Sequence, residues 1–206
     1  MLLALLKTMR PKQWPKNGFI FAALIFDRQL FDLIPFARTF AGFLLFCLLS
    51  STVYIINDLG DLESDRMHPT KRYRPIASGQ LSPRIAAAAA GVLIILVFPF
   101  AYLLSPDFAL IALIYLVINL LYTARLKHIV ILDVLVLASL YVIRVAAGVT
   151  LIVVTSFSPW LYVFTTFLAL FIGVGKRRAE LNLLASEAER SRPVLQGYSL
   201  PLLDQM

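Results

Sequence analysis

Six stretches of this chain are apolar for long enough to cross a bilayer, and they decide what the rest of it can be. A spanning helix needs about 17–25 mostly apolar residues. The runs at 17–35, 37–57, 84–104, 107–124, 129–151 and 156–175 meet that need. The first is the weakest, because Asp27, Arg28 and Asp32 fall in its second half. Pro99, inside the third, removes a backbone donor and crowds the preceding turn, which predicts a kink. The runs raise the hydrophobic share to 60% of 206 residues and leave only 15% charged. Soluble domains carry about 25% charge, and this chain has too little polar side chain to cover its apolar surface in water. An ordinary soluble globule and a disordered chain are thereby excluded. So is a disulfide scaffold, since Cys47 is the one cysteine. The expectation is an all-α integral membrane bundle, a single transmembrane domain over residues 1–206.

The net charge of +7 would suggest nucleic acid in a soluble protein. Here its implied partner is the lipid bilayer, and no nucleic acid is expected. Sixteen of the 19 Lys and Arg residues fall on alternate connections. Lys7, Arg10, Lys12 and Lys16 precede the first run; Arg66, Lys71, Arg72, Arg74 and Arg84 lie between or beside the second and third. Arg125 and Lys127 separate the fourth and fifth, and Lys176, Arg177, Arg178, Arg190 and Arg192 follow the sixth. The positive-inside rule puts these connections and both termini in the cytoplasm of a multi-pass inner or plasma-membrane protein. Two of them are candidates for chemistry: a long catalytic loop at about 57–83 and a second polar loop at about 122–133.

The first loop opens on Asn57-Asp58-Leu59-Gly60-Asp61-Leu62-Glu63-Ser64-Asp65. Asp58, Asp61 and Asp65 fall within about 60° of one helix face. An unpaired carboxylate costs several kcal/mol to bury, so such a cluster implies a cation. Hard oxygen donors suit Mg²⁺ or Mn²⁺, and Mg²⁺ commonly joins one or two carboxylates to substrate phosphates. The plainer alternative is a solvated helix end whose acids pair with Arg66, Lys71 and Arg72. Arg66-Met67-His68-Pro69-Thr70-Lys71-Arg72-Tyr73-Arg74-Pro75 follows directly. Arginine forks and a lysine point charge behind the acids suit a diphosphate. A juxtamembrane patch for anionic lipid is the competing reading, and it leaves the adjoining acids unexplained. His68, beside Pro69, reads as a loop hydrogen-bonder.

The string NDLGDLESD resembles the first aspartate-rich motif, NDxxDxxxD, of the UbiA prenyltransferase superfamily. The longer NDLGDLESDRMHPTKRYRPIASG is similar to the branch that transfers phosphoribose to decaprenyl phosphate in arabinan precursor synthesis. MRPKQWPKNGFIFAAL at the start, YTARLKHIVILDVLVLASLYVIRVAAG at 122–148 and GKRRAEL at 175–181 extend the resemblance over nearly the whole chain. It implies a UbiA-like helical bundle with about six of the typical nine transmembrane helices. It also implies a reaction. Mg²⁺ on Asn57, Asp61 and Asp65 would hold phosphoribosyl diphosphate, with Asp58 in support. A polyprenyl phosphate would attack the anomeric carbon and pyrophosphate would leave. Asp58, Asp61 and Asp65 are then the catalytic candidates, and Lys71, Arg72 and Arg74 the candidates for binding substrate.

Tyr122, Lys127 and Asp133 stand where the superfamily carries its second polar motif, often DxxxD. Here Leu137 takes the place of the second acid. That departs from members that join an allylic diphosphate to an aromatic acceptor. Arg144 follows Asp133 by eleven residues, about 16 Å along one helix side. An intramembrane arginine is a site candidate by default; it implies a phosphate or a buried acid, with snorkelling to the far interface as the alternative. Asp133 could equally complement a helix dipole. Lys16 is a phosphate candidate through its RPKQWPKN context, or an anchor beside Trp14. Tyr73 and Tyr122 could orient substrate oxygens or belong to an interfacial belt, and Lys176, Arg177 and Arg178 read mainly as topological determinants.

With six spans the chain looks C-terminally short for the superfamily, so the isoprenoid groove is expected to be incomplete in a monomer and closed by a homo-oligomer or another chain. Two other readings stand beside phosphoribosyl transfer: a prenyltransferase using an allylic diphosphate with an aromatic or lipid acceptor, and a non-catalytic transporter or assembly subunit. Transporters tend to place broken helices and polar groups near the midplane, whereas here the charges gather at one face.

Overall fold

The computed structural model describes residues 1–154, 158–183 and 197–205. Arg190 and Arg192, counted above among the cations after the last run, lie outside the described residues. Every regular element among the described residues is helical. Among the described residues, five helices are long and apolar enough to cross a membrane: α3 (Leu33–Gly60), α5 (Pro83–Leu104), α6 (Pro106–Ala124), α7 (Leu132–Val149) and α8 (Pro159–Leu183). They match the last five apolar runs to within a few residues, except that α8 continues well past residue 175. α5 runs through Pro99 as one element.

The first apolar run folds differently from a simple span. A 3₁₀ helix over Pro11–Phe21 passes directly into a short α2 (Ala22–Phe26). Pro11 and Pro15 withhold the N–H donors that a regular α-helix would use. Beyond α2 the chain turns through Arg28, whose φ of 60° is left-handed, and α3 begins at Leu33. An eight-residue α1 (Leu2–Met9) precedes the 3₁₀ segment. The remaining elements are α4 (Leu62–Met67), single 3₁₀ turns at Lys71–Tyr73 and Leu126–His128, and α9 (Leu200–Gln205).

The chain divides into two compact units, Met1–Leu120 with Arg144–Phe157, and Leu121–Ile143 with Ser158–Met206. In the first, α3 is the central element. At 28 residues it is about 42 Å long, and it packs on α1, the 3₁₀ segment and α5. Thr39, Gly42, Phe46, Leu49 and Val53 make a buried stripe at helical spacing. The alanine run of α5 supplies close approach: Ala86 and Ala90 are buried beside Ile55, Ile76, Leu81 and Met9. Phe46 packs against Phe108 and Tyr115 of α6, with ring centroids 5.5 and 5.2 Å apart.

The 3₁₀ segment is seated by a buried polar network. Asn17 donates through Nδ2 to Ser50 Oγ at 3.1 Å, and its Oδ1 accepts from Arg144 Nε at 2.9 Å. Arg144 also donates through Nη2 to Tyr115 Oη at 2.9 Å and lies over that ring. One turn along α7, a Cβ at Gly148 would stand 2.0 Å from the backbone oxygen of Ile20. In the second unit, Val134, Tyr198 and Leu203 form the buried centre, with Val130, Leu170 and Val174 around it.

Gly148→Ala tests that contact. The intruding methyl meets backbone, which cannot rotate away, so the cost should fall in the overpacking range of about 1–3 kcal/mol. Thermal unfolding in detergent should show the loss, whereas Gly91→Ala, which meets nothing within 4 Å, should not.

Candidate functional site

The acid-rich segment sits where α3 gives way to α4. The helix does not break abruptly there: Asp61 N–H donates to Asn57 O at 2.9 Å and Asp65 N–H donates to Asp61 O at 2.8 Å. Successive i→i−4 bonds therefore keep Asn57, Asp61 and Asp65 in one row. Asn57 Nδ2 donates to Asp61 Oδ2 at 3.1 Å.

Asp58 and Asp65 are almost wholly out of solvent, at 2% and 1% exposure. A carboxylate so placed needs a paired cation. Arg74 serves both: its Nη1 lies 3.1 Å from Asp58 Oδ1 and 2.6 Å from Asp65 Oδ2. Arg10 adds a second charge, with Nη2 2.6 Å from Asp58 Oδ1, and its guanidinium stacks over Tyr54 at 4.7 Å. Arg10 ends α1 in the left-handed region at φ 53°, a conformation unusual for a non-glycine residue. Two of the cations named from sequence turn to partners other than Asp58 and Asp65. Arg66 pairs with Glu63, and Arg72 donates to Tyr73 Oη at 2.7 Å.

The loop after α4 is shaped by His68. Its Nδ1 accepts from the N–H groups of Thr70 at 3.2 Å and Lys71 at 3.3 Å. Partial burial, with Lys71 nearby, holds its pKa below the ordinary value, which keeps the ring nitrogen an acceptor. Lys71 is half-buried, Arg72 and Lys16 are exposed, and Arg74 turns inward to the acids.

The donors at this helix end fit a hard divalent ion in part. All are oxygens, and Asp65 Oδ1 is buried with no hydrogen-bond partner. Such an orphan is rare and calls for an explanation. Among the described residues no three Asp, Glu, His or Cys side chains converge as a ready-made cage. The set is instead two carboxylates, Asp61 and Asp65, with the Asn57 amide, of the kind Mg²⁺ takes together with phosphate oxygens.

The second polar motif belongs to the other unit. Asp133 is fully buried at the start of α7. Its Oδ2 accepts from Arg177 Nε at 2.7 Å and its Oδ1 from Tyr198 Oη at 2.5 Å. Arg177, read from sequence as a topological cation, is 2% exposed and also bonds Glu180 at 2.7 Å. Its charge is committed inside the protein because Asp133 needs it. Tyr198 also accepts the Ile131 N–H at 2.7 Å. Tyr122 and Lys127 lie in the same unit, and Tyr122 contributes to the electrostatic environment of Arg177. Arg144 lies on α7 too, but its side chain serves the first unit, on Asn17 and Tyr115. Arg10, Arg177 and Tyr198 were missed as site residues from sequence. Each joins its acid across more than forty residues, and no local pattern announces such a pairing.

A multi-pass helical membrane protein with an arginine-clamped row of oxygen donors at one end of its central helix is the class these features define. The chain belongs to the UbiA prenyltransferase family, whose model matches residues 18–176. It is 34% identical over 201 residues to the decaprenyl-phosphate phosphoribosyltransferase of Mycolicibacterium smegmatis, covering 95% of this chain and 62% of that protein. It is 35% identical over 141 residues to nodulation protein NoeC of Azorhizobium caulinodans, covering 68% of this chain and 46% of that one. The chain thus spans about three-fifths of the length of the first of these relatives. A UbiA homologue from Archaeoglobus fulgidus, solved with DMAPP and Mg²⁺, superposes with a TM-score of 0.75 at 23% identity, covering 98% of this chain and 74% of that structure. The likeness confirms the helical bundle expected from sequence.

Removing Arg74 should expose how much the acids depend on it. Arg74→Ala leaves Asp65 without its cation and Asp58 with Arg10 alone. Losing one partner of a buried ion pair costs about 3–5 kcal/mol, readable as a fall in unfolding midpoint that Arg74→Lys partly restores. Tyr198 gives a pH test. Burial, followed by its bond to Asp133, raises its pKa from 10.0 to about 12. The stability it contributes is whole below its unfolded value and is lost as pH climbs through the folded one. The drop in unfolding temperature between about pH 10 and pH 12 should therefore be steeper in the parent chain than in Tyr198→Phe.

Proposed function

We propose that this protein transfers 5-phosphoribose from phosphoribosyl diphosphate to a polyprenyl phosphate, with release of pyrophosphate. The observation that carries the reading is the row Asn57, Asp61 and Asp65, with Asp65 Oδ1 buried and unpartnered, followed by the Lys71–Arg74 basic turn. The resemblance to phosphoribosyltransferases at 34% identity supports the substrate class. So does Leu137, which stands where prenyl-transferring members place a second acid. In this reading the site faces the cytoplasm, as the distribution of Lys and Arg implies.

Asn57, Asp61 and Asp65 are the residues that would hold Mg²⁺ or Mn²⁺. Bound there, the ion would draw charge from the leaving diphosphate. Lys71, Arg72 and Lys16 supply cations for phosphate oxygens. Arg10 and Arg74 hold Asp58 and Asp65 in place, so that the donor row meets the substrate without rearranging. An oxygen of the lipid phosphate forms a bond to the anomeric carbon of the ribose. The bond from that carbon to the diphosphate oxygen breaks, and pyrophosphate departs with the electron pair. A phosphomonoester has its second pKa near 6, so the nucleophile is already anionic at neutral pH and no side chain has to remove a proton. Asp133, held by Arg177 and Tyr198, and Tyr122 with Lys127 form the second polar group of the reading. Arg144 holds Asn17 and thereby the segment bearing Lys16.

The test is turnover by the full chain reconstituted in lipid with phosphoribosyl diphosphate, a polyprenyl phosphate and Mg²⁺. The expected products are polyprenyl-phosphoribose and pyrophosphate, and Asp61→Asn should lower kcat by about 100-fold or more. Formation of a prenylated aromatic product from an allylic diphosphate, with phosphoribosyl diphosphate left intact, would overturn the reading.

A further inference from the structure

The helix ahead of the acidic site has two faces, and the bundle uses only one of them. Ala4, Leu5 and Met9 pack into the cluster formed by Ile55, Leu59 and Ile76 at the Asp58 end of α3. On the other side, Met1, Leu2 and Leu3 are 70–82% exposed and Leu6 is 42% exposed. This is not a loose terminus. Trp14 Nε1 donates to Ser51 Oγ at 3.0 Å, and Ser51 Oγ donates to Met9 O at 3.0 Å, so both ends of the α1 junction are tied to α3.

Eight residues make a helix about 12 Å long, too short to cross a bilayer. Leaving four large apolar side chains in water is unfavourable by roughly 1.5 kcal/mol or more for each. Lys7, Lys12 and Lys16 are exposed on and just beyond the same element. A short helix with an apolar outer face, edged by lysines and fixed at the end of a spanning helix, has the pattern of an interfacial anchor. A second copy of the chain is a poorer occupant, because a face-to-face pairing would bring the lysines of both copies together.

We propose that α1 lies in the bilayer interface on the Asp58 side, with Met1, Leu2, Leu3 and Leu6 in the acyl region and Lys7 and Lys12 on anionic lipid headgroups. The proposal is independent of the reaction assigned above and of which leaflet is cytoplasmic. It is tested on the full chain with Leu3 replaced by photoreactive benzoylphenylalanine. The protein is placed in nanodiscs of phosphatidylcholine with roughly a third phosphatidylglycerol. Irradiation should give lipid adducts, enriched in phosphatidylglycerol over its share of the mixture. Lys7→Gln with Lys12→Gln should reduce that enrichment several-fold while lipid adducts persist. Chain-to-chain adducts in place of lipid adducts would overturn the proposal in favour of a homo-oligomer. An absence of lipid adducts, or equal labelling of the two lipids, would overturn it as well.

Discussion

Two carboxylates held away from water at the end of a membrane helix require a positive charge between them, and Arg74 provides it. Its Nη1 touches Asp58 and Asp65 together, and Arg10 adds a second cation to Asp58. The ends of two chain segments are thereby drawn to one point. The loop after α4 must fold back for Arg74 to reach, and the stretch before the 3₁₀ segment must adopt a left-handed residue for Arg10 to reach. The turn built on His68 and the seat of Trp14 on Ser51 are the local structures that make these two approaches possible. The acids thus organise the elements around them before any ligand is considered.

The same logic recurs at Asp133 with different parts. There the counter-charge comes from α8 and the remaining lone pair is met by a tyrosine hydroxyl. The contrast between the two groups is informative. Asp133 has both oxygens bonded and its neighbours close around it, while Asp65 has one oxygen bonded and one bare. An acid fully satisfied by protein stabilises a structure, whereas one left half satisfied is ready for a further cation. On this ground the weight of the proposed chemistry falls on the Asn57, Asp61 and Asp65 row.

Much of this was legible in the sequence. The spans could be read because a 20-residue apolar run has few other uses, and the shared face of Asp58, Asp61 and Asp65 because helical periodicity places i, i+3 and i+7 together without tertiary information; the Asn57, Asp61 and Asp65 row came from the family resemblance. The first apolar run is the weakest of the six in sequence, and Asp27, Arg28 and Asp32 are the signal that it ends early. Pro11 and Pro15, just ahead of it, carry a 3₁₀ segment into its start, and a short α-helix and a turn follow. Ion-pair partners were the least legible. Arg66 and Arg72 are neighbours of the acids in sequence, but Arg10 and Arg74 are the cations that pair with Asp58 and Asp65. Arg177 sits in a run of three cations of which it alone turns inward, and nothing local distinguishes it from Lys176 or Arg178.

The 3₁₀ form of Pro11–Phe21 has a geometric consequence at α7. Asn17 and Ile20 are three residues apart on a helix that rises about 2 Å per residue, and they meet Arg144 and Gly148, four apart on one that rises about 1.5 Å. Both intervals come to about 6 Å, so the two contacts act like matching teeth on unlike gears. A one-residue slip would carry Asn17 off the guanidinium and Ile20 onto a side chain. The height of Lys16 along the bundle is therefore indexed in discrete steps by a glycine and an arginine lying more than a hundred residues further along the chain.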